Sequence, residues 1–305
     1  MCSKQEHWLA KFRKLNPNVS RAKGEGNARF APHKPLLLLC LIEIAESGAL
    51  IVPVVDKSPE LRLRFDCYWG IVQARWGGRP GFDLPFHYLS SQGFWTPLRE
   101  NGERSGAEST TTRIRLEDDF FECLGGVEFR KEARFLLVKY WFPELEQQGL
   151  LAALGISKTE AKRQEFSWQA QAPQEETRGR DARFRIAVVT QYRFTCALSR
   201  YGLHTRSGGT IVEAAHIHSF AKSRNDTPEN GLSLTRNAHW MFDEGLWTVD
   251  EKMRVVVASE IFTEWGGEAT WLKSQHGSEL FFMEGVALRP GREHLAWHRA
   301  NVFAG

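Results

Sequence analysis

The sequence runs Glu213-Ala214-Ala215-His216-Ile217 along a predicted strand, Asn230-Gly231-Leu232 after a polar loop, and His239-Trp240-Met241-Phe242-Asp243-Glu244-Gly245 on a predicted helix. These three pieces decide the fold of the C-terminal part of the chain. A histidine imidazole titrates near neutral pH, so His216 can take a proton from water. A helix presents His239 and Asp243 on one face, where they can bind one divalent cation.

Asn230 lies in the connecting loop between the two histidines. Its side-chain amide can fix the tautomer of the imidazole or hold the loop against the helix. Hydrolysis of a phosphodiester at neutral pH requires a base to activate water and a cation to stabilise charge on the phosphate. The pattern therefore indicates a phosphodiester-cleaving site.

These residues resemble the HNH nuclease family, in the branch that reads AAHI, then D/N-x-x-x-NGL-x-L, then H-x-x-FD-x-G. The stretch from Asn225 to Leu234 fits it closely, and the resemblance covers most of residues 181–303. It implies a ββα-metal fold with Mg²⁺ or Mn²⁺ as cofactor. In that fold His216 is the general base, Asn230 the catalytic loop-organising residue and His239 a metal ligand.

The sequence departs from the family at one metal position. Many HNH enzymes place an Asp or His ligand immediately before the base, where this chain has Ala215. Glu213 lies on the same strand face with a longer reach, so it either supplies that ligand or is a surface residue. Asp243 is either a second ligand or a residue that caps the helix or forms a salt bridge locally. His218 is either a phosphate or metal contact or a polar loop residue.

The N-terminal part of the chain carries a second resemblance. Ala31-Pro32-His33-Lys34-Pro35-Leu36-Leu37-Leu38-Leu39, Leu84-Pro85-Phe86-His87-Tyr88-Leu89 and Gly93-Phe94-Trp95 resemble the sulfur-binding domain of modification-dependent restriction endonucleases. Those proteins join this domain to an HNH nuclease, in the order found here. They cut DNA in which sulfur replaces a non-bridging phosphate oxygen, so the resemblance implies a phosphorothioate-modified DNA partner.

A site that selects sulfur should be an apolar cup rimmed by cations, because sulfur is less costly to bury than oxygen yet shares the negative charge. Leu84, Pro85 and Tyr88 are the candidate cup. His33 and Lys34 are the candidate rim, at a helix start whose amides favour anions. Further candidates for phosphate or guanine contacts are Arg21, Lys23 and Arg29. The alternative is that the cup residues are core and that His33 and Lys34 only begin a solvated helix.

The predicted fold class is α+β with two domains. Residues 1–152 form a mixed α/β DNA-reading domain rich in helix, 153–180 a polar linker and 181–305 the HNH domain. Apolar spacing and turn residues predict the following elements: helices over 35–45, 58–76 and 117–142; loop and short strand over 84–98; a hairpin pairing 195–198 with 210–216; a helix over 233–242; strand over 246–258; and a closing helix over 292–303.

Composition is compatible with a nucleic-acid partner. The net charge is +3 and the pI about 8.6, which permits a polyanion without requiring one. The cysteines are odd in number and never form a CxxC pair, which argues against a disulfide framework or a cysteine zinc knuckle. The chain shows neither a signal-peptide core nor a membrane-length apolar run, so we expect a cytoplasmic protein without a membrane partner.

The leading hypothesis is an endonuclease that recognises phosphorothioate-modified double-stranded DNA and cleaves it nearby. In a first alternative the protein is still a nuclease but recognises methylated or unmodified DNA sequence. Recognition of a modified base would use an aromatic cage, for which Trp69, Trp76 and Trp95 are the candidates. A second alternative is an inactive DNA-binding or regulatory protein, motivated by Ala215. Cleavage of both strands by one site per chain suggests a homodimer on DNA.

Overall fold

A computed structural model describes residues 3–20, 24–167, 173–267, 269–283 and 289–305. The helices are α1 (Ser3–Arg13), α2 (His33–Glu46), α3 (Pro59–Trp76), α4 (Asp83–Tyr88), α5 (Asp118–Leu124), α6 (Val127–Trp141), α7 (Glu144–Ala153), α8 (Lys158–Arg163), α9 (Pro173–Gln191), α10 (Phe220–Ser223), α11 (Arg236–Asp243), α12 (Trp271–Ser274) and α13 (Arg292–Asn301). The strands are β1 (Val54–Asp56), β2 (Trp95–Leu98), β3 (Arg113–Leu116), β4 (Val212–His216), β5 (Gly231–Thr235), β6 (Trp247–Val249) and β7 (Val255–Val257).

The fold is α+β, as predicted, and it divides into two compact units. The first unit comprises residues 1–183 and 206–209, and the second comprises 184–205 and 210–305. The division falls inside α9. The segment 153–180, for which the sequence predicts a linker, contains α8 and the first part of α9 among its described residues.

The core of the first unit is built around α2. Every residue from Leu36 to Ile42 is fully buried. A helix that is apolar on all sides must be surrounded by other elements, and α2 packs against α3, α4 and α6. Beside these helices lies an antiparallel sheet in the order β1-β3-β2. The helix α3 begins where predicted, because the Ser58 hydroxyl caps the N–H of Leu61 and Pro59 occupies the first turn.

Two stretches of the first unit differ from the prediction. Residues 117–142 form two helices, α5 and α6, because Gly125 and Gly126 interrupt the helix between them. Residues 84–98, expected as loop and strand, begin with most of α4. Pro85 lies in the first turn of that helix, where its missing N–H would have no partner in any case.

The second unit contains the antiparallel hairpin β4–β5, in which His216 pairs with Gly231 and Val212 with Thr235. The predicted pairing of 195–198 with 210–216 is wrong. Residues 231–235 alternate in a strand pattern and become the partner of β4, whereas 195–198 form a turn that gives β5 one bond, from Ala197 N–H to Ser233 O.

The remaining elements of the second unit are shorter than predicted. The helix expected over 233–242 starts at Arg236, because the Thr235 side chain accepts a hydrogen bond from the N–H of Ala238. The strand expected over 246–258 is the antiparallel pair β6–β7, and the closing helix α13 ends at Asn301. In the described ranges, no helix has both the length and the apolar character required to cross a bilayer.

Candidate active site

The hairpin β4–β5 and the helix α11 position the three residues of the sequence motif. His216 is the last residue of β4, Asn230 immediately precedes β5, and His239 lies in the first half of α11. Thr235 ends β5 and caps α11, so the helix follows the hairpin without an intervening loop. The order strand, strand, helix is the ββα arrangement expected from the sequence.

The His216 imidazole is held by contacts on one edge and on one ring face. Its Nε2 lies 3.0 Å from Oδ1 of Asp226. The ring stacks on Phe184 of α9 with 3.9 Å between centroids and 8° between planes. The side chain keeps 21% of its surface exposed, so the imidazole is oriented yet reachable from solvent.

Gly231 makes the stack on Phe184 sterically feasible. A Cβ at this position would lie 2.9 Å from Cζ of Phe184 and closer still to Cγ2 of Val188. Because Gly231 pairs with His216 across the hairpin, α9 can approach the sheet only where a residue lacks a side chain.

Asn230 is fully buried and organises the loop between β4 and β5. Its Oδ1 accepts a hydrogen bond from the His218 N–H at 2.8 Å. Its Nδ2 donates to the carbonyl oxygens of His218 and Asn225, each at 2.9 Å. These contacts correspond to the loop-holding role, since the amide bonds to backbone groups and not to the imidazole of His216.

His239 lies between two carboxylates. Its Nδ1 is 2.8 Å from Oε1 of Glu213, and its Nε2 is 3.4 Å from Oδ2 of Asp243. Arg236 approaches the other oxygen of Glu213 at 3.6 Å. Burial raises the pKa of Asp243, opposed by the nearby His239. The three side chains that the sequence marks as metal candidates therefore meet at one place.

The donor set has the chemistry of a divalent-cation site, because imidazole and carboxylate groups suit Mn²⁺ and related ions. The two ring nitrogens of His239 point in different directions, and a different carboxylate lies beside each. Within the ranges that the structure describes, no group of three or more His, Cys, Asp or Glu side chains is arranged to hold an ion. Because a different carboxylate lies beside each ring nitrogen, one nitrogen can serve an ion while the other is oriented by its carboxylate.

His216 and His239 share no hydrogen-bond or ion-pair partner among the described residues. His216 is paired with Asp226, for which the sequence predicts no role of its own. Asp226 occupies the D/N position of the pattern that the chain resembles, four residues before Asn230. The hydrogen bond depends on how the loop folds back, and a linear pattern does not reveal that path.

His218 belongs to an aromatic and basic cluster. Its ring stacks on Trp297 of α13 with 3.8 Å between centroids and 14° between planes. The Lys222 ammonium lies 5.2 Å from the centroid of the Trp297 ring. Desolvation, His294 and Lys222 lower the pKa of His218. The sequence carries no signal for this cluster, because the stack joins two segments that are distant along the chain.

Lys222 and Arg224 are exposed cations on the loop that follows His216. Neither has a carboxylate partner among the described residues; each lies over an aromatic ring, Lys222 over Trp297 and Arg224 over Phe220. Unpaired cations beside the candidate base are suited to contact phosphates.

The first unit contains a cavity of about 400 Å³ at the start of α2. It is lined by Asn16, Pro17, Asn18, Ala31, His33, Lys34, Leu84, Pro85, Tyr88 and Ser91. The structure thus brings together the predicted cup and rim residues. Leu84 and Tyr88 are 50% and 49% exposed, so apolar surface faces solvent at this cavity.

The rim carries less positive charge than the sequence suggests. Burial lowers the pKa of His33 to about 4, so its imidazole is neutral at physiological pH. The Lys34 ammonium donates to the carbonyl oxygen of Asn16 at 2.6 Å, and burial lowers its pKa. Arg29 is exposed over Phe30 and does not line the cavity. Arg21 and Lys23 lie outside the described residues.

The three tryptophans considered for an aromatic cage do not form one. Trp69 and Trp95 are each 2% exposed, and the Trp95 indole donates to the carbonyl oxygen of Phe86. Trp76 is partly exposed and contacts His33 edge to face. Buried indoles cannot take up a flipped base from solvent, so Trp69 and Trp95 are core residues.

Comparison with known proteins identifies the family of one segment of the chain. Residues 196–250 match the family model described as HNH endonuclease, so the chain carries an HNH endonuclease domain in this segment. A solved structure, the modification-dependent TagI restriction endonuclease, is similar at 17% identity with a TM-score of 0.32. The similarity covers 48% of this chain and 44% of the TagI chain, so less than half of either is matched. No curated protein matches the chain.

Proposed function

We propose that the chain is a divalent-metal-dependent DNA endonuclease that recognises phosphorothioate-modified duplex DNA and cleaves it nearby. The observation that carries the nuclease assignment is the HNH endonuclease match over residues 196–250, with His216, Asn230 and His239 positioned on its hairpin and helix. The cavity of the first unit supports the assignment of the modified partner.

The catalytic role falls to His216. Its imidazole is partly exposed, oriented by Asp226 and Phe184, and followed by the unpaired cations Lys222 and Arg224. A phosphate held by these cations would bring the scissile phosphorus near the base. Water would then lose a proton to the imidazole as its oxygen attacks phosphorus.

The metal role falls to His239 through Nε2, with Asp243 as a carboxylate on the same side. Glu213 stays on Nδ1, where a hydrogen bond of 2.8 Å fixes the ring. Glu213 is therefore an orienting residue in this proposal, and not a metal ligand. A divalent cation bound there supplies positive charge that stabilises the phosphate and the leaving oxygen.

The cavity of the first unit suits a large, weakly hydrated atom that shares a negative charge. Leu84, Pro85 and Tyr88 supply apolar walls, and Lys34 supplies a cation. The free N–H groups at the start of α2 favour an anion in the same place. With His33 neutral, attraction for an ordinary phosphate is weaker, which leaves the apolar contact with sulfur to decide selectivity.

The alternative modes of DNA recognition have less support. A flipped methylated base needs exposed aromatic walls, and Trp69 and Trp95 are buried. Direct reading of an unmodified sequence remains a second candidate, since the exposed Arg29 can contact a guanine edge. The inactive-protein alternative is tested by the same experiment as the proposal.

The test compares two plasmids of identical sequence, one carrying phosphorothioate linkages and one without, each incubated with Mg²⁺ or Mn²⁺. We expect cleavage of the modified plasmid only. Equal cleavage would overturn sulfur selection and retain the nuclease. If neither plasmid is cut with either metal, while both are bound, the chain is a binding protein and the nuclease assignment fails.

A further inference from the structure

The carboxylate of Asp226 contacts the candidate base at one specific atom. Oδ1 lies 3.0 Å from Nε2 of His216, and both side chains are partly buried, at 21% and 18% exposure. Nδ1 of His216 has no hydrogen-bond partner among the residues that the structure describes. The two ring nitrogens therefore have different surroundings.

The loop that carries Asp226 is fixed independently of the imidazole. Asn225, its neighbour, accepts from the Thr227 N–H through Oδ1 at 2.8 Å and bonds to Asn230 through its carbonyl oxygen. Asn225 also lies 3.3 Å from Nε2 of the buried His294. The turn that carries Asp226 is thus held by its own hydrogen bonds. The position of Asp226 beside His216 therefore follows from the fold of the loop.

A neutral imidazole carries one N–H and one lone pair, and its environment decides which nitrogen has which. A carboxylate accepts only, so Asp226 requires Nε2 of a neutral His216 to be the N–H donor. The lone pair then resides on Nδ1. Phe184 covers one ring face, which restricts the ring from exchanging the two nitrogens by rotation.

Resting on the proposed nuclease function, we propose that Asp226 is a positioning residue that fixes the Nε2–H tautomer of His216 and makes Nδ1 the proton acceptor. In the step that follows, a water O–H bond breaks and its proton goes to Nδ1. The water oxygen forms a bond to phosphorus as the bond from phosphorus to the leaving oxygen breaks. That oxygen takes a proton from solvent, and Asp226 stabilises the imidazolium until Nδ1 returns its proton to solvent.

The first test observes the tautomer without relying on cleavage. The full chain is labelled with ¹⁵N-histidine, and long-range ¹H–¹⁵N correlation spectra are recorded above the pH at which imidazoles are protonated. A spectrum of His216→Gln identifies the signals of His216. We expect the Nε2–H form in the wild type and a mixture of tautomers in Asp226→Asn. The Nδ1–H form in the wild type would overturn the proposal.

The second test measures cleavage of the phosphorothioate plasmid with Mn²⁺. We expect Asp226→Asn to lower kcat by about 10- to 100-fold with KM nearly unchanged. The reason is that this variant removes part of the contribution that His216 makes as a general base. Asp226→Glu should restore part of the rate. Glu229→Gln is the matched control, because it removes a carboxylate three residues away that forms neither a hydrogen bond nor an ion pair with His216.

The outcomes separate this inference from the proposed function. A wild type that cuts no DNA contradicts the nuclease assignment, whereas the tautomer spectrum still tests Asp226. A wild type that cuts, with Asp226→Asn equally fast, overturns the positioning role alone. Equal losses in Asp226→Asn and Glu229→Gln would point to general loop charge and would also overturn it.

Discussion

Glu213 Oε1 lies 2.8 Å from Nδ1 of His239, on the opposite side of the imidazole from Asp243. This relationship separates two carboxylates that the sequence leaves equivalent. A carboxylate bonded to the ring nitrogen that does not bind the ion orients the ring. A carboxylate beside the ion-binding nitrogen can itself bind the ion.

Metal affinity should therefore respond differently to removal of the two carboxylates. We expect Asp243→Ala to raise the Mn²⁺ concentration for half-maximal cleavage by more than Glu213→Ala does. The Glu213 effect should stay within the about 10- to 100-fold range of residues that only orient a ligand. Titration of cleavage rate against Mn²⁺ checks both variants, and a larger effect for Glu213→Ala would reverse the assignment.

The Asn230 side chain should contribute strongly to stability, because it is fully buried and makes three hydrogen bonds to backbone groups. Asn230→Ala leaves backbone groups of His218 and Asn225 without partners, and we expect it to lower the free energy of unfolding by about 2 kcal/mol or more. Urea unfolding measures this. Asn301→Ala, which removes one exposed bond to Trp297 O, is the control and should change little. Similar losses in both variants would contradict the role of Asn230.

A methyl group at Gly231 should damage both stability and catalysis. Gly231→Ala forces Phe184 away from the sheet, and overpacking of this kind costs about 1–3 kcal/mol. Because Phe184 stacks on His216, displacement of Phe184 should also lower kcat. Urea unfolding and plasmid cleavage check the two effects. Gly267→Ala, where a Cβ meets nothing within 4 Å, should leave both unchanged; equal behaviour of the two variants would argue against the close approach of α9.

The second unit should lose stability in mild acid through His298. This side chain is 1% exposed, with its ring nitrogens at Thr248 Oγ1 and Phe242 O, and burial lowers its pKa from 6.5 to about 4. The folded protein thus resists protonation that the unfolded chain accepts. Its contribution is complete above pH 6.5 and is lost as the pH falls from there toward 4, at up to about 1.4 kcal/mol per pH unit.

Urea unfolding between pH 4.5 and 7.5 tests the role of His298. We expect a shallower dependence on pH in His298→Gln than in the wild type. His204→Gln serves as control, since His204 is exposed, and its curve should follow the wild type. If His298→Gln retained the full wild-type slope, other groups would account for the acid sensitivity.

Selectivity for sulfur should depend on the apolar wall of the first-unit cavity. We expect Leu84→Asn to reduce the preference for phosphorothioate over phosphate duplexes by about tenfold, the effect of about 1.4 kcal/mol. Kd values for the two duplexes, measured by fluorescence anisotropy, give this ratio. Leu145→Asn is a matched control, because Leu145 is 51% exposed against 50% for Leu84 and does not line the cavity. An unchanged ratio in Leu84→Asn would remove the cavity from sulfur recognition.

Sequence patterns predicted the elements that have a strong local signal. The apolar run of α2, the extent of α3 and the α+β class all follow from apolar spacing and turn residues. The residues of the first-unit cavity also came together as expected, because α2 and α4 pack against each other.

Strand pairing and side-chain partners were harder to predict. The segment 195–198 has a strand composition, but β5 is the partner of β4, and a choice between two short strands depends on tertiary packing. Asp226 and Trp297 acquire their roles only when distant segments meet. The charge of His33 also depends on burial, which its neighbours in the sequence do not determine.

The most direct measurement compares cleavage and binding by His216→Ala on the phosphorothioate plasmid with Mn²⁺. If His216 is the general base of an HNH endonuclease, cleavage falls by about 100-fold or more. The Kd for the modified DNA stays close to the wild-type value, because recognition is assigned to the first unit. Cleavage at the wild-type rate, or loss of binding together with cleavage, would contradict this account.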